Sequence, residues 1–381
     1  MIDLPPRAHI HLVAICGVGM AALAGLLQSQ GFRVTGSDED VYPPMSDYLA
    51  GRAIPVLPGF KKEHLRDRPA AVVFGNAVSR GNPEVAAAIE SAIPYFSFPQ
   101  ALARFLIAER RSVVVAGTHG KTTTSALAAW VFDRAGLKPG FFIGGIPLNF
   151  GEGLRKAEGE WVVLEGDEYD SAFFDKGPKF LHYKPEQVIL TSVEYDHADI
   201  YRDLGHLEEA FGGLVEIIPE GGSLVVCRDY PTAVAVAARA RCAVDFYGAE
   251  APAGWELKHL RAESGRMAFE PSYRGRPEGA IELQLIGRHN AMNALAVYAL
   301  ARRLGIDHAA IAAAMESFKG VKRRQEIKGE VAGVIVIDDF AHHPTAVGET
   351  IAAVRAAYPG RRLWALFEPR SNTSRRRIFV R

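Results

Sequence analysis

Lys121 and Thr122 stand side by side directly after the turn Gly117-Thr118-His119-Gly120. Ahead of that turn runs the apolar stretch Val113-Val114-Val115-Ala116, and behind it an alanine-rich stretch of helical character. Strand, glycine turn and helix in this order make a phosphate cradle. Backbone N–H groups of the turn and of the helix start face an anion, the lysine reaches terminal phosphates, and the threonine hydroxyl is a ligand for Mg²⁺. The general pattern also asks for a glycine five residues before Gly120, where Val115 stands. A bare Gly-Lys-Thr is a weak signal; the strand before it and the helix after it make a nucleotide site the expectation.

Two further apolar runs end in acids. Glu160 to Leu164 leads into Glu165-Gly166-Asp167-Glu168-Tyr169-Asp170, and Gln187 to Ser192 leads towards Glu194-Tyr195-Asp196-His197-Ala198-Asp199. Ligands of open α/β sheets sit at the carboxyl ends of strands. Three strands are therefore expected to bring a phosphate cradle, an acid cluster and an acid/histidine cluster to one edge. Either acid cluster taken alone reads equally well as a solvated loop. Mg²⁺ takes oxygen ligands, so Thr122 and Glu165 suit one ion, and His197 a second, less typical position. Nearer the N-terminus, Cys16-Gly17-Val18-Gly19-Met20 joins a strand to a helix, and a second strand ends at Ser37-Asp38. That βαβ unit is a phosphate-binding turn in relaxed form, since Ala22 holds the third glycine position. Asn290, in Gly287-Arg288-His289-Asn290, is either the N-cap of a helix over 291–304 or a group that reaches a base.

The elements that position these residues alternate as strands and helices, the pattern of an α/β protein. At 381 residues the chain exceeds what one core serves. Boundaries are expected near Arg110-Arg111 and at the basic link Phe318 to Arg324, giving domains 1–108, 109–322 and 323–381. Helices are expected over 82–91, 99–110 and 207–217, and antiparallel strands around 250–285. Beyond the second boundary a strand at 334–337, a helix at 345–357 and a strand at 363–367 read as an incomplete third domain. Lys and Arg total 44 against 44 for Asp and Glu, which points to neither nucleic acid nor an anionic membrane as partner. The three cysteines, Cys16, Cys227 and Cys242, form no CxxC pair and read as reduced residues of a cytoplasmic protein. Neither a secretory leader nor an apolar run of about 20 residues is present, so membrane insertion is not expected.

Taken together these motifs resemble the Mur ligases of peptidoglycan synthesis. The resemblance is carried by Ala116-Gly117-Thr118-His119-Gly120-Lys121-Thr122, the Glu165-x-Asp167-Glu168-x-Asp170 cluster, Asp196-His197-x-Asp199, Gly287-x-His289-Asn290 and Asp338-Asp339-x-x-His342-His343-Pro344, in the family's order. It implies a Rossmann-like N-terminal domain, a central P-loop ATPase domain and a Rossmann-like C-terminal domain, here incomplete. It also implies ATP-driven amide formation through an acyl phosphate, with ATP and Mg²⁺ required. Gly117, Thr118, His119, Gly120, Lys121, Thr122 and Thr123 would cradle ATP; Asn290, Arg324 and Asp339 would contact the rest of the nucleotide. Thr122, Glu165 and His197 would hold the metal, with Lys121, Glu165 and His197 as the catalytic set. Gly17, Gly19, Met20, Ser37, Asp38 and Asn76 would bind a UDP-sugar, and His343 and Arg370 the incoming peptide. Val41 to Ser46, Gly144 to Pro147 and Glu368 to Thr373 resemble the branch that joins UDP-N-acetylmuramate to L-alanyl-γ-D-glutamyl-meso-diaminopimelate in cell-wall recycling. Gly212 stands where other branches carry a carbamylated lysine. The alternatives are addition of L-alanine to the same nucleotide, and a shortened copy that binds nucleotide without turnover. A nicotinamide-dependent oxidoreductase would use Gly17-x-Gly19 and Asp38 but leaves the P-loop and acid clusters unexplained. A monomer or weak homodimer is expected.

Overall fold

The computed structural model describes residues 4–263 and 265–369. They divide into two compact units. One comprises residues up to 110 together with 154–156 and 169–183; the other holds the remaining described residues. The first break thus falls two residues after the expected 108, and the described residues past 322 belong to the second unit.

The first unit is built on a parallel sheet with strand order Val56–Pro58, Arg33–Asp38, His9–Val13, Ala71–Phe74, Tyr95–Ser97. The reversal of strand order beside His9–Val13 creates the crevice typical of Rossmann-like sheets. Ile10, Leu12, Val13 and all four residues of Ala71–Phe74 are buried, as continuous β-branched and aromatic runs of a doubly covered sheet should be. Helix Val18–Ser29 begins directly after Gly17. Helix Pro83–Glu90 is capped by Asn82, whose side chain accepts from Glu84 N, and Pro83 occupies the position where a missing N–H costs nothing. The helix expected over 99–110 is shorter: Phe98–Leu102 is α-helical, with a Ser97 capping box, and Ala103–Ile107 widens into a π turn. Gly36 is a packing requirement, because a Cβ there would lie 2.7 Å from Leu12 O and closer still to the Ile15 side chain. Gly36→Ala is expected to destabilise the protein by about 1–3 kcal/mol through overpacking, read as a lowered thermal midpoint; an unchanged midpoint would contradict this packing.

The second unit carries a longer sheet. Its parallel part runs Ala243–Gly248, Ser223–Cys227, Gln187–Leu190, Arg111–Ala116, Trp161–Gly166, Gly140–Phe142. Trp255–Glu263 joins it parallel to Ala243–Gly248, and Arg266–Tyr273 and then Ile281–Leu283 add on antiparallel, so the 250–285 stretch is antiparallel within itself as expected. Helix Lys121–Arg134 is buried from Thr122 to Ala129, and helix Arg288–Arg303 from Asn290 to Ala301. Their small residues let the two helices share one core with Phe132, Phe141 and Trp161. After Arg324 an antiparallel hairpin, Glu326–Val331 with Val334–Asp338, precedes helix Pro344–Ala357. The strand expected at 363–367 is not formed. An isolated strand needs a neighbour's ladder, and among the described residues none pairs with this stretch; Trp364 is 71% and Leu366 98% exposed. No helix among the described residues is long and apolar enough to cross a membrane.

Candidate active site

The parallel sheet places Arg111–Ala116 between Trp161–Gly166 and Gln187–Leu190, in register, with Ala116 opposite both Gly166 and Leu190. All three strands run the same way, so the P-loop, the acid cluster and the acid/histidine cluster emerge at one edge, as their residue types anticipated. Gly120 caps helix Lys121–Arg134 with φ +79°, and a Cβ there would lie 2.6 Å from Asn293 Oδ1. Left-handed backbone and close approach both demand glycine.

Lys121 curls back over its own loop. Its Nζ donates to Gly117 O at 2.6 Å and to Glu168 Oε1 at 3.0 Å, and lies 2.9 Å from Glu168 Oε2. Glu168, 1% exposed, also lies 2.9 Å from His197 Nε2 through Oε1. Burial would push the Glu168 carboxyl up, but the Lys121 ammonium and then the His197 hydrogen bond overcome it and hold it below the usual range. Burial would likewise pull Lys121 and His197 down; Glu168 reverses both, and each is raised. Glu168 is thus the hub of a buried charge cluster that the predicted residue set omitted, assigning only Glu165 to the acid motif.

Glu165 does something different. Its Oε1 accepts from Thr122 Oγ1 at 2.8 Å and its Oε2 from Gly144 N at 2.7 Å. Arg324 Nη2 donates to the same Thr122 hydroxyl at 2.9 Å. Two hard oxygens held together suit Mg²⁺, and the Arg324 guanidinium lies at the same hydroxyl. His197 pairs with Glu168 and not with Glu165, so a second cation would find its imidazole and carboxylate donors on that pair. The Thr122–Glu165 oxygens therefore suit an Mg²⁺ ion, and the Glu168–His197 pair is the less typical donor set.

Next to the P-loop opens a cavity of about 330 Å³, of the size that holds a small ligand. Asn290, Arg324 and Asp339 line it, as do His119, Gly120 and Thr123. Asn290 is not the N-cap: Gly287 is, and the helix starts at Arg288. Asn290 Nδ2 donates to Ile286 O and Gln325 Oε1, and its Oδ1 accepts from Asn293. Asp339 fixes the loop around it by accepting from Gln325 N and Ala341 N. Asn293, Gln325 and Tyr230 also line the cavity and were not anticipated; Asn293, one helical turn beyond Asn290, was discoverable from spacing. Burial keeps the cavity's Cys227 thiol raised and so neutral. His343 is buried, N-caps helix Pro344–Ala357 and stacks near His119, with ring centroids 4.4 Å apart. Arg370 lies outside the described residues.

In the first unit, Asp38 pins the glycine turn, with Oδ2 accepting from Cys16 N at 2.7 Å. Burial and the nearby Asp38 push the Cys16 thiol up to about 11, which argues against a reactive thiolate. Gly17 and Asn76 are exposed at this edge, Gly19 is partly exposed and Met20 is buried. Ser37 departs from the expected contact. It is fully buried and its hydroxyl donates to Glu84 Oε2 at 2.7 Å, so the hydroxyl faces inward and not towards a ligand. Glu84 is held by His11 and His64 as well, a buried carboxylate whose partners the expected sites did not include.

The chain matches the Mur ligase family catalytic domain over residues 9–110, the Mur ligase middle domain over 115–301 and the glutamate ligase domain over 323–379. It belongs to the Mur ligase family. The three matched spans end at residues 110, 301 and 379. This member is 42% identical over 367 residues to the UDP-N-acetylmuramate--L-alanyl-gamma-D-glutamyl-meso-2,6-diaminoheptandioate ligase of Escherichia coli K12, covering 96% of this chain and 79% of that one. It is 38% identical to the UDP-N-acetylmuramate--L-alanine ligase of Variovorax paradoxus, over 97% of this chain and 77% of that one. Its fold superposes on the murein peptide ligase of Psychrobacter arcticus with a TM-score of 0.80 and 35% identity, covering 96% of this chain and 80% of that one. As a Mur ligase it is an amide-bond-forming enzyme with an α/β fold of parallel sheets.

Proposed function

We propose that this Mur ligase joins UDP-N-acetylmuramate to L-alanyl-γ-D-glutamyl-meso-diaminopimelate at the expense of ATP, in the cytoplasm, as a step of peptidoglycan recycling. The observation that carries the chemistry is the convergence of Lys121, Glu165, Glu168 and His197 on one strand edge beside the cavity. The likeness to the diaminoheptandioate ligase of Escherichia coli supports the substrate pair.

A carboxylate is a poor electrophile. In the proposed course it attacks the γ-phosphate of ATP, giving an acyl phosphate and ADP. The peptide amine then adds to the acyl carbon, and phosphate leaves. The protein's task is positioning and charge neutralisation. Lys121 leaves Gly117 O and Glu168 to meet the phosphates, and the N–H groups at the helix start face them. Thr122 with Glu165, and Glu168 with His197, would hold Mg²⁺, which neutralises developing phosphate charge. Arg324, from the segment past the central domain, stands at Thr122 and would approach the same phosphates. Asn290 and Asp339 would position the base and sugar in the cavity, and the turn at Gly17, Gly19 and Asp38 would hold the UDP group.

The likeness to the Variovorax enzyme supports a second reading, in which L-alanine is the acceptor. Phosphate release from ATP and UDP-N-acetylmuramate separates the two. Release is expected with the tripeptide and not with L-alanine; the opposite result installs the second reading, and release with neither removes both.

A further inference from the structure

Two imidazoles and a carboxylate meet beside the P-loop, away from the Thr122–Glu165 oxygen pair. His119 Nε2 lies 2.8 Å from Glu194 Oε2, and one ligand-capable atom from each of His119, Glu194 and His343 lies within 4.8 Å of the other two. We propose that these three side chains form a binding site for a transition-metal cation of the zinc type, which would tie the P-loop to the start of helix Pro344–Ala357.

The donors favour this class of ion. Mg²⁺ prefers an oxygen shell, whereas two imidazoles and one carboxylate are a recurrent zinc set with a fourth position left for another ligand. That position would face the cavity, since His119 and the neighbouring Thr345 line it. The three ligands are also held in place before any ion arrives. Thr118 Oγ1 accepts from Glu194 N at 2.8 Å and donates to Glu194 O at 3.0 Å, clamping the carboxylate's backbone to the P-loop. His119 N donates to Ser192 Oγ at 2.9 Å. Thr345 Oγ1 donates to Glu194 Oε1 at 3.3 Å, so Oε2 is the oxygen that would exchange its contact with His119 Nε2 for an ion, and outer partners of this kind orient metal ligands. His343 would exchange one of its present bonds, to Thr345 N or to the Tyr195 backbone, for coordination. An ion here ties down His119 in the nucleotide cradle, so it should compete with nucleotide. That consequence rests on the proposed ATP reading; the metal binding itself does not.

The test is a Co²⁺ titration of the nucleotide-free protein followed by visible absorption. The expected result is a saturable spectrum of a nitrogen- and oxygen-liganded Co²⁺ that Zn²⁺ displaces and excess Mg²⁺ leaves intact. Glu194→Gln and His343→Asn should each weaken binding by about tenfold or more, at least the loss that follows removal of an outer-shell partner. Asparagine at 343 keeps an N-cap, so helix 344–357 is retained and loss of folding does not confound the result. Absence of the spectrum, or an affinity unchanged in both variants, overturns the site. Saturating Zn²⁺ should weaken ADP binding in the parent protein and not in His343→Asn; equal ADP affinity with and without Zn²⁺ in the parent overturns the link to the nucleotide cradle.

Discussion

Lys121→Ala is expected to lower kcat/KM by about 10²–10³-fold or more, the scale on which loss of one preorganised charge or donor at a developing negative charge is felt. It should also cost stability. The Lys121 ammonium is the main counter-charge of Glu168, a carboxylate only 1% exposed. Removing one partner of a buried pair leaves the other uncompensated, at about 3–5 kcal/mol. The two effects separate in the double variant. Lys121→Ala with Glu168→Gln removes both charges and should regain most of the lost stability in urea denaturation, while turnover stays as low as in the single variant. A double variant that regained turnover would show that Lys121 serves folding and not phosphate binding. A single variant with full activity would end the P-loop assignment.

What made the site legible was the order of residue types along three strands. Apolar runs that lead into Gly-Lys-Thr, Glu165 and His197 require only that the strands pair in parallel, because parallel neighbours present their carboxyl ends at one edge. Partner choice within the edge was not legible. Glu165 and Glu168 are separated by two residues, and the sequence does not say which carboxylate turns to Thr122 and which to Lys121. Backbone direction after Gly166, where the strand ends, decides it. The inward turn of the Ser37 hydroxyl was not legible for a related reason: its acceptor, Glu84, is distant in sequence. Asn290 shows the limit of cap rules, since Gly287 with positive φ takes the cap and turns Asn290 into the first helical turn facing the cavity. At 363–367 a strand-like composition was a weak prior, because a strand forms only against a neighbour and the hairpin of Glu326–Val331 with Val334–Asp338 offers it no pairing among the described residues.

Glu165→Gln is the second large effect, and it should separate charge from shape. The amide keeps the length and one carbonyl oxygen. With that oxygen towards Gly144 N, its NH₂ meets Thr122 Oγ1, a hydroxyl that accepts as readily as it donates. The local fold should therefore change by less than about 1.5 kcal/mol, the worth of an ordinary hydrogen bond. The negative charge, in contrast, is lost entirely. A cation held by Thr122 alone forfeits its strongest oxygen ligand, and part of the several kcal/mol that a bound metal supplies to a phosphoryl transition state goes with it. Turnover is expected to fall on the order of 10²-fold at fixed Mg²⁺, with the Mg²⁺ midpoint displaced upward. Nucleotide affinity measured without metal should hold, because Lys121 and the backbone cradle are untouched. Equal loss of metal-free affinity would mean that Glu165 shapes the cradle through Gly144; an unchanged Mg²⁺ midpoint would remove the Thr122–Glu165 metal site and leave only the Glu168–His197 pair.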